Sequence, residues 1–476
     1  MNRKLTKIVA TISDLRCDVD FIRSLVEEGV NVVRLNTAHM TLEGMDKVID
    51  NVRKVSPYIG ILVDTKGPEI RTTKVESPIC FSTGDQVKII GDKNQTSTKD
   101  TIYFSYENIA NDVKPGTHIL IDDGIIEIEV THIEGKVLYC QILCDGELGS
   151  RKSVNVPSCR IDLPSITDRD RQFIEHAIKR DVDFIAHSFV RNKNDVMAVK
   201  QILEEHNSPI AIISKIENQE GVDNINEILQ VSYGIMIARG DLGIEVPIEK
   251  IPAIQRLIIR KCIERKKPVI VATQMLHTMI KSPRPTRAEV SDVANAIYYR
   301  TDAVMLSGET ANGKYPVEAV RTMSRIIVEA EKSLTSANDI RVPIEGDDLT
   351  TTAFLAKQAV KSISKLNVKA LLADSYTGRT ARYLSAFRGT VPIYAVCYVE
   401  RTTRELSLSY GVTTEYVPLE KGKNENLIAA LQKLIQEGCL IREDRVAHMS
   451  GNVGAEGSTT RLEIETVTRL LHKYKA

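Results

Sequence analysis

Long apolar runs are missing from this chain. None approaches the roughly 20 residues that a membrane-spanning helix needs. The first residues, Met1-Asn-Arg-Lys-Leu-Thr-Lys, lack an apolar signal region and run straight into a strand-like segment. Net charge is missing too: Lys+Arg and Asp+Glu both total 63, which argues against a basic nucleic-acid surface and a polybasic membrane patch. The eight cysteines are scattered without zinc-type spacing. Cys140 and Cys144, the nearest pair, flank a short apolar run and are expected to fill core. Neither a Walker-type phosphate loop nor a Gly-x-Gly-x-x-Gly occurs. These absences leave a cytoplasmic, reduced protein that does not bind nucleotide through either loop.

What is present is a rhythm. At 476 residues the chain is too long for one core. Apolar strand-like segments at Lys7–Ile12, Asn31–Asn36 and Ile59–Asp64 alternate with helical stretches at 20–29 and 41–55. From about residue 70 to 163 the texture changes to short alternating segments separated by turns such as Asp122-Asp-Gly124, which predicts an inserted small β-barrel. The rhythm then resumes, with strands at 183–189, 210–217, 234–239, 268–273 and 302–307, and helices at 168–180, 193–206, 222–230, 247–266, 286–299 and 315–334. Eight strand–helix units predict a (β/α)8 TIM barrel, built from residues 1–69 and 164–336 around the insert 70–163. Residues 337–349 read as linker, and 350–476 as a doubly wound α/β domain.

Polar residues collect where such a barrel places its site. The segment 210–217 is apolar until Ser214-Lys215-Ile216-Glu217. Lys215 and Glu217 are two apart, so on a strand they point the same way. Other strand ends supply Arg34 and Asn36, Asp64 and Thr65, Ser188, Asp241 after Gly240, Thr273, and Ser307 with Glu309. Glu217 and Asp241 suit Mg²⁺, a hard cation that takes a few protein oxygens plus substrate phosphate. Lys215 and Arg34, with Arg71 or Lys152 from the insert, suit phosphoryl transfer, which is mostly positioning and charge neutralisation. The bland reading of Lys215 and Glu217 is an ion pair capping a buried strand.

Several long segments carry a family resemblance. Leu62-Val-Asp-Thr-Lys-Gly-Pro-Glu-Ile-Arg-Thr72 resembles the strand-three motif of the pyruvate kinases. Ile213-Ser-Lys-Ile-Glu-Asn218, Ile237-Ala-Arg-Gly-Asp-Leu-Gly243, Ala272-Thr-Gln-Met-Leu276, Lys281-Ser-Pro-Arg-Pro-Thr-Arg-Ala-Glu289 and Met305-Leu-Ser-Gly-Glu-Thr310 are similarly close. The resemblance implies the last step of glycolysis, conversion of phosphoenolpyruvate and ADP into pyruvate and ATP. It makes Lys215 the group that stabilises the transferring phosphoryl and the enolate. It implies that Glu217 and Asp241 hold Mg²⁺ or Mn²⁺, and that Arg34 contacts phosphate. Gly240 and Asp241 amides, with Thr273, receive the substrate carboxylate, and Thr273 lies near the proton path. Asn36, His39, Arg71 and Lys152 face the nucleotide. A homotetramer is implied as well.

Departures from the pattern qualify this. Of the implied K⁺ ligands, Asn36, Asp64 and Thr65 are present, but the usual serine is Ala38, and a methyl cannot coordinate a cation. Glu69, which K⁺-dependent members tend to carry, is present, so K⁺ activation is expected. Ser13-Asp14 replaces a Gly-Pro, and Met40 replaces a glycine. These changes motivate a second reading as a non-catalytic metabolite sensor; a third is a Mg²⁺-dependent enolpyruvate lyase or aldolase. In the C-terminal region, Ser375, Thr377, Gly378, Arg379 and Thr380 form a candidate phosphate cradle for an allosteric effector, faced by the loop 450–460. Its bland reading is an ordinary helix cap.

Overall fold

Periodicity of two in the strands decides the architecture. In the computed structural model, which describes residues 4–157, 159–334, 342–343, 350–418, 422–451 and 459–475, eight parallel strands close a barrel in sequence order. They are β1 (Lys7–Thr11), β2 (Val32–Asn36), β3 (Gly60–Asp64), β4 (Phe184–His187), β5 (Ala211–Ile216), β6 (Gly234–Ala238), β7 (Val269–Ala272) and β8 (Ala303–Leu306). β8 pairs back onto β1. Val9, Val32, Leu62, Phe184, Ala186, Ile213, Met236, Ile270 and Met305 fill the barrel interior. Their neighbours in sequence, such as Ile8, Val33, Ile61, Ile185, Ile212 and Val304, pack outward under the helices. Both faces are therefore apolar, as a parallel barrel requires. Continuing the alternation brings Thr11, Arg34, Asp64, Ser188 and Lys215 inward at the C-terminal mouth.

The insert leaves after β3. Its seven-stranded sheet runs Ile70–Arg71, Ser153–Asn155, His118–Ile121, Ile126–Glu134, Val137–Ile142, Gln86–Gly91, Thr101–Phe104. A bridge between Thr72 and Phe104 joins the two edge strands, so the sheet wraps around its own core of Val87, Ile89, Phe104, Ile119, Ile128 and Leu138. The expected small barrel is thus a sheet closed at one point. Cys140 fills this core; Cys144 is only half-buried and its sulfur accepts the Glu127 amide.

The C-terminal region forms a five-stranded sheet in the order Val412–Tyr416, Ile393–Cys397, Ala370–Ser375, Arg445–Gly451, Thr459–Thr466. Only the last strand is antiparallel. Helices cover both faces: Leu427, Leu431 and Leu470 pack on Leu372, while Ala353, Ala356 and Leu384 pack on the side of Leu371. This region seats against the N-terminal end of the barrel, where Leu408 joins the interior cluster as a plug.

Three differences from the sequence expectations matter. The stretch 222–230 is two helices, Gln219–Asp223 and Ile225–Val231, and the helix expected from 247 begins at Ile251 after a 3-10 turn. The strand Val412–Tyr416 and the helices Lys423–Gln436 and Val467–Lys475 were not expected. Short helices also follow β6 (Arg239–Glu245) and β8 (Gly308–Ala311). Most of the linker 337–349 and residues 452–458 of the facing loop lie outside the described residues. Among the described residues no helix is long and apolar enough to cross a membrane.

Candidate active site

The mouth of the barrel holds one connected set of charges. Lys215 lies with its ammonium 3.1 Å from Asp64 Oδ1 and 2.9 Å from Glu217 Oε1, and donates to Ser188 Oγ at 2.7 Å. Asp64 turns its other oxygen to Arg34 Nε at 2.6 Å, and Arg34 also donates to Thr11 Oγ1 at 3.0 Å. The charged ends of Lys215, Glu217 and Asp64 are nearly excluded from solvent. Burial alone would lower the Lys215 pKa, but Asp64 and Glu217 outweigh it and hold the group above its ordinary range. Asp64 shows the reverse: burial would raise it, and Arg34 and Lys215 together keep it below the usual carboxylate value. Glu217 is pushed up to about 7, first by burial and then by the nearby charge of Asp241, with Lys215 opposing. It is a carboxylate short of positive charge.

Backbone geometry around the set is equally specific. The peptide N–H of Phe189 donates to Glu217 Oε2 at 2.6 Å from a residue with φ +54°. Gly67, at φ +73°, packs so closely that a Cβ there would stand 2.7 Å from the Phe189 ring and 2.8 Å from Ser188 Cβ. Only glycine satisfies both constraints. Asp170 caps the helix Asp168–Lys179 with one oxygen, and its other oxygen accepts the Lys66 and Gly67 amides, tying the segment after β3 in place. Thr65 Oγ1 accepts the Ser188 amide at 3.1 Å.

On the opposite side, Thr273 at the end of β7 accepts the Gly240 N–H on its hydroxyl at 2.7 Å and donates to Ala272 O at 2.6 Å. Asp241 lies in the first turn of the helix that begins at Arg239. Glu309 bonds the Ser307 and Leu276 amides, a support for the mouth. Asn36 Oδ1 caps the 3-10 turn Thr37–His39 by accepting the Ala38 amide. Arg71 ends one insert strand and Lys152 directly precedes the strand beside it, where Ser153 registers with Arg71. Each has an acidic partner, Glu69 for Arg71 and Asp122 for Lys152. A cleft of about 410 Å³ between insert and barrel is walled by Glu69, Asp123, Asn155, Asn218, Asp241 and Glu245. Asn155 Nδ2 donates to Glu245 Oε1 across it at 3.0 Å.

The structure therefore gathers Arg34, Asp64, Lys215 and Glu217 into direct contact, and joins Gly240 to Thr273. Ser188 was visible in the sequence only as a polar strand end; its bond to Lys215 is new. The Phe189 amide and the Arg239 side chain were missed. A peptide N–H leaves no trace in sequence. Arg239 had one: an arginine directly after a buried strand.

In the C-terminal region, Gly378 (φ +76°) precedes the helix Arg379–Ala386, and a Cβ there would strike the Arg382 side chain. Ser375 is buried, and the Thr380 and Thr459 hydroxyls meet at 2.8 Å. Thr377 and Arg379 are exposed.

Comparison with known proteins accounts for both halves of this architecture. Residues 3–320 match the family "Pyruvate kinase, barrel domain" and residues 354–465 match "Pyruvate kinase, alpha/beta domain". The pyruvate kinase of Borreliella burgdorferi is 47% identical over 473 residues, covering 98% of both chains. That of Bacillus licheniformis is 42% identical, covering 98% of this chain and 81% of its own. A crystal structure of a pyruvate kinase from Cryptosporidium parvum superposes with a TM-score of 0.92 at 37% identity, covering 98% of this chain and 96% of that one. A barrel with its insert, followed by an α/β domain, is thus matched by named enzymes along nearly the whole length: the chain belongs to the pyruvate kinase family.

Proposed function

We propose that this chain carries out the family reaction, phosphoryl transfer from phosphoenolpyruvate to ADP, with Lys215 at its centre. The observation that carries the proposal is the buried cluster of Lys215 with Asp64, Glu217 and Ser188. In the reaction the bond from phosphorus to the enol oxygen breaks while a β-phosphate oxygen of ADP bonds to phosphorus. Negative charge passes to the enolate oxygen. Lys215, already charged and fixed by three partners, stabilises that charge without reorganising. Arg34 adds a second cation beside it. The enolate then takes a proton at its methylene carbon, and the Thr273 hydroxyl is placed to hold or pass that proton. Gly240 and Asp241 amides receive the carboxylate, the Gly240 N–H being shared with Thr273 Oγ1. Asn36, His39, Arg71 and Lys152 bind the nucleotide, and closure of the insert over the cleft excludes water.

Glu217 and Asp241 would hold Mg²⁺ or Mn²⁺. The donor set fits: two carboxylates offer hard oxygens, and the raised Glu217 gains from a nearby cation. Among the described residues no group of three or more His, Cys, Asp or Glu is assembled for a metal, so substrate and water would complete the shell. When bound, such an ion supplies charge neutralisation for phosphoryl and enolate oxygens. K⁺ would take Asn36, Asp64 and Thr65, with water in place of the hydroxyl that Ala38 lacks. Ser375, Thr377, Gly378, Arg379 and Thr380 would take a phosphorylated effector. The left-handed Gly378 at the helix start supports this, and Thr377→Ala with Arg379→Ala should abolish any response to sugar phosphates or nucleotides. An unchanged response sinks the effector site.

The same reading divides the chain into 1–69 with 164–336, 70–163 and 350–476, makes the assembly a homotetramer, and places it in the cytoplasm. Light scattering tests the assembly. The function itself is tested by following ATP formation from phosphoenolpyruvate, ADP and Mg²⁺. A protein that binds phosphoenolpyruvate but forms no ATP under any salt or effector would return the sensor reading.

A further inference from the structure

We propose that Arg239 is a positioning residue for this reaction, holding the Thr273 hydroxyl by clamping the strained turn that carries it. The inference rests on the role assigned to Thr273 above. Thr273 and Gln274 follow β7 with φ +69° and +53°. Two consecutive L-residues in the left-handed region are costly, and a β-branched residue there is an outlier. Such a turn persists only if its surroundings over-determine it.

Arg239 supplies that constraint. Its Nη2 donates to Thr273 O at 2.7 Å and contacts Met275 Sδ at 2.8 Å. Its Nη1 pairs with Asp292 at 2.7 Å and reaches Gln255 Oε1 at 3.4 Å, and its Nε lies 3.4 Å from Ala272 O. The side chain is about 10% exposed. One planar fork therefore ties the carbonyls on either side of the Thr273 Cα to an anchor on the helix Arg287–Tyr298. Arg239 also opens the helix whose second residue, Gly240, donates to Thr273 Oγ1. The hydroxyl is thus fixed from the front by Gly240 and from behind by Arg239. A lysine keeps the charge but cannot hold Asp292 and Thr273 O together.

The test is a set of double-mutant cycles on the intact enzyme with steady-state kinetics and thermal unfolding. Arg239→Lys should lower kcat about 100-fold, the scale of an ångström-level misplacement, with KM for phosphoenolpyruvate changed much less. Thr273→Ala should lower kcat alone, and Arg239→Lys added to it should cost less than about threefold, because the group it positions is gone. Gln274→Gly removes part of the left-handed strain and should recover about tenfold of the Arg239→Lys loss. A merely structural role would move unfolding temperature but give neither the coupling nor the rescue. If Arg239→Lys fails to fold, Asp292→Asn loosens the same clamp from its partly exposed end, and the same coupling to Thr273→Ala is required of it. Additive losses, or an Arg239→Lys enzyme with parental kcat, overturn the proposal. Parental kcat in Thr273→Ala alone overturns instead the role given to Thr273.

Discussion

Asp64 is the residue on which the two cations of the site depend. Replacing it with Asn leaves Lys215 and Arg34 facing each other with one buried counter-charge fewer. Breaking a buried pair costs about 3–5 kcal/mol, so Asp64→Asn should lower stability in urea unfolding at neutral pH and reduce kcat. The sign with pH follows from the depressed carboxyl. Its stabilisation is present above the unfolded-state value of 3.8 and is lost as pH falls through the folded-state value, so parent and variant converge only in strong acid. At Ala38 the expectation runs the other way. Ala38→Ser should strengthen activation by K⁺ over Na⁺, measured as the ratio of rates in the two salts; an unchanged ratio contradicts the K⁺ site. Lys215 and Glu217 were legible because period-two alternation aims both inward at a strand end. The link from Asp64 to Lys215 was not, since it joins side chains 151 residues apart on β3 and β5, two strands that β4 separates and whose inward residues meet only inside the folded barrel.

Strands were the easiest elements to read, because parallel strands buried on both faces spell continuous apolar runs. β4 shows what such a run hides. His187 sits on it fully buried and faces outward, next to the inward Ser188. Burial lowers its pKa to about 4, with Lys215 adding to that and Asp195 and Asp170 opposing. A histidine neutral in the fold and free to protonate when unfolded stabilises above its ordinary 6.5. That contribution is lost as pH falls from 6.5 towards 4. The shift corresponds to roughly 3 kcal/mol. His187→Leu should therefore flatten the stability curve across that window, and a curve as steep as the parent's would refute the assignment. The short helices after β6 and β8 were missed because at seven and four residues they lack a periodic pattern. The first of them carries Gly240 and Asp241, so its absence from the sequence reading concealed how the Gly240 amide meets Thr273.

At the scale of the molecule, the C-terminal region is bolted to the bottom of the barrel by charges that lead the strands. Asp302, just before β8, pairs with Arg388 at 2.9 Å and accepts the Tyr410 and Val269 amides. Asp183, just before β4, pairs with Arg404 and Arg53. Arg388→Ala leaves Asp302 buried without its cation and should cost about 3–5 kcal/mol. Early melting of the C-terminal region, seen as fast amide exchange at 370–375 ahead of 211–216, is the expected result. Uniform protection would count against the bolt. The three-part organisation was legible because each part has its own texture: paired strand and helix, short alternating strand, then strand and helix again. Their docking was not, because Leu408 and Arg404 read as ordinary helix residues, and Arg388 as a residue just past a helix end, until the barrel floor is placed over them.

The central claim is that Lys215 stabilises the transferring phosphoryl group and the enolate. Its most direct test compares kcat for ATP formation from phosphoenolpyruvate and ADP between the parent and Lys215→Ala, with folding checked by thermal unfolding. Loss of a preorganised donor of this kind predicts a fall of about 10²–10³ or more. A folded Lys215→Ala enzyme that keeps the parental rate would contradict the account.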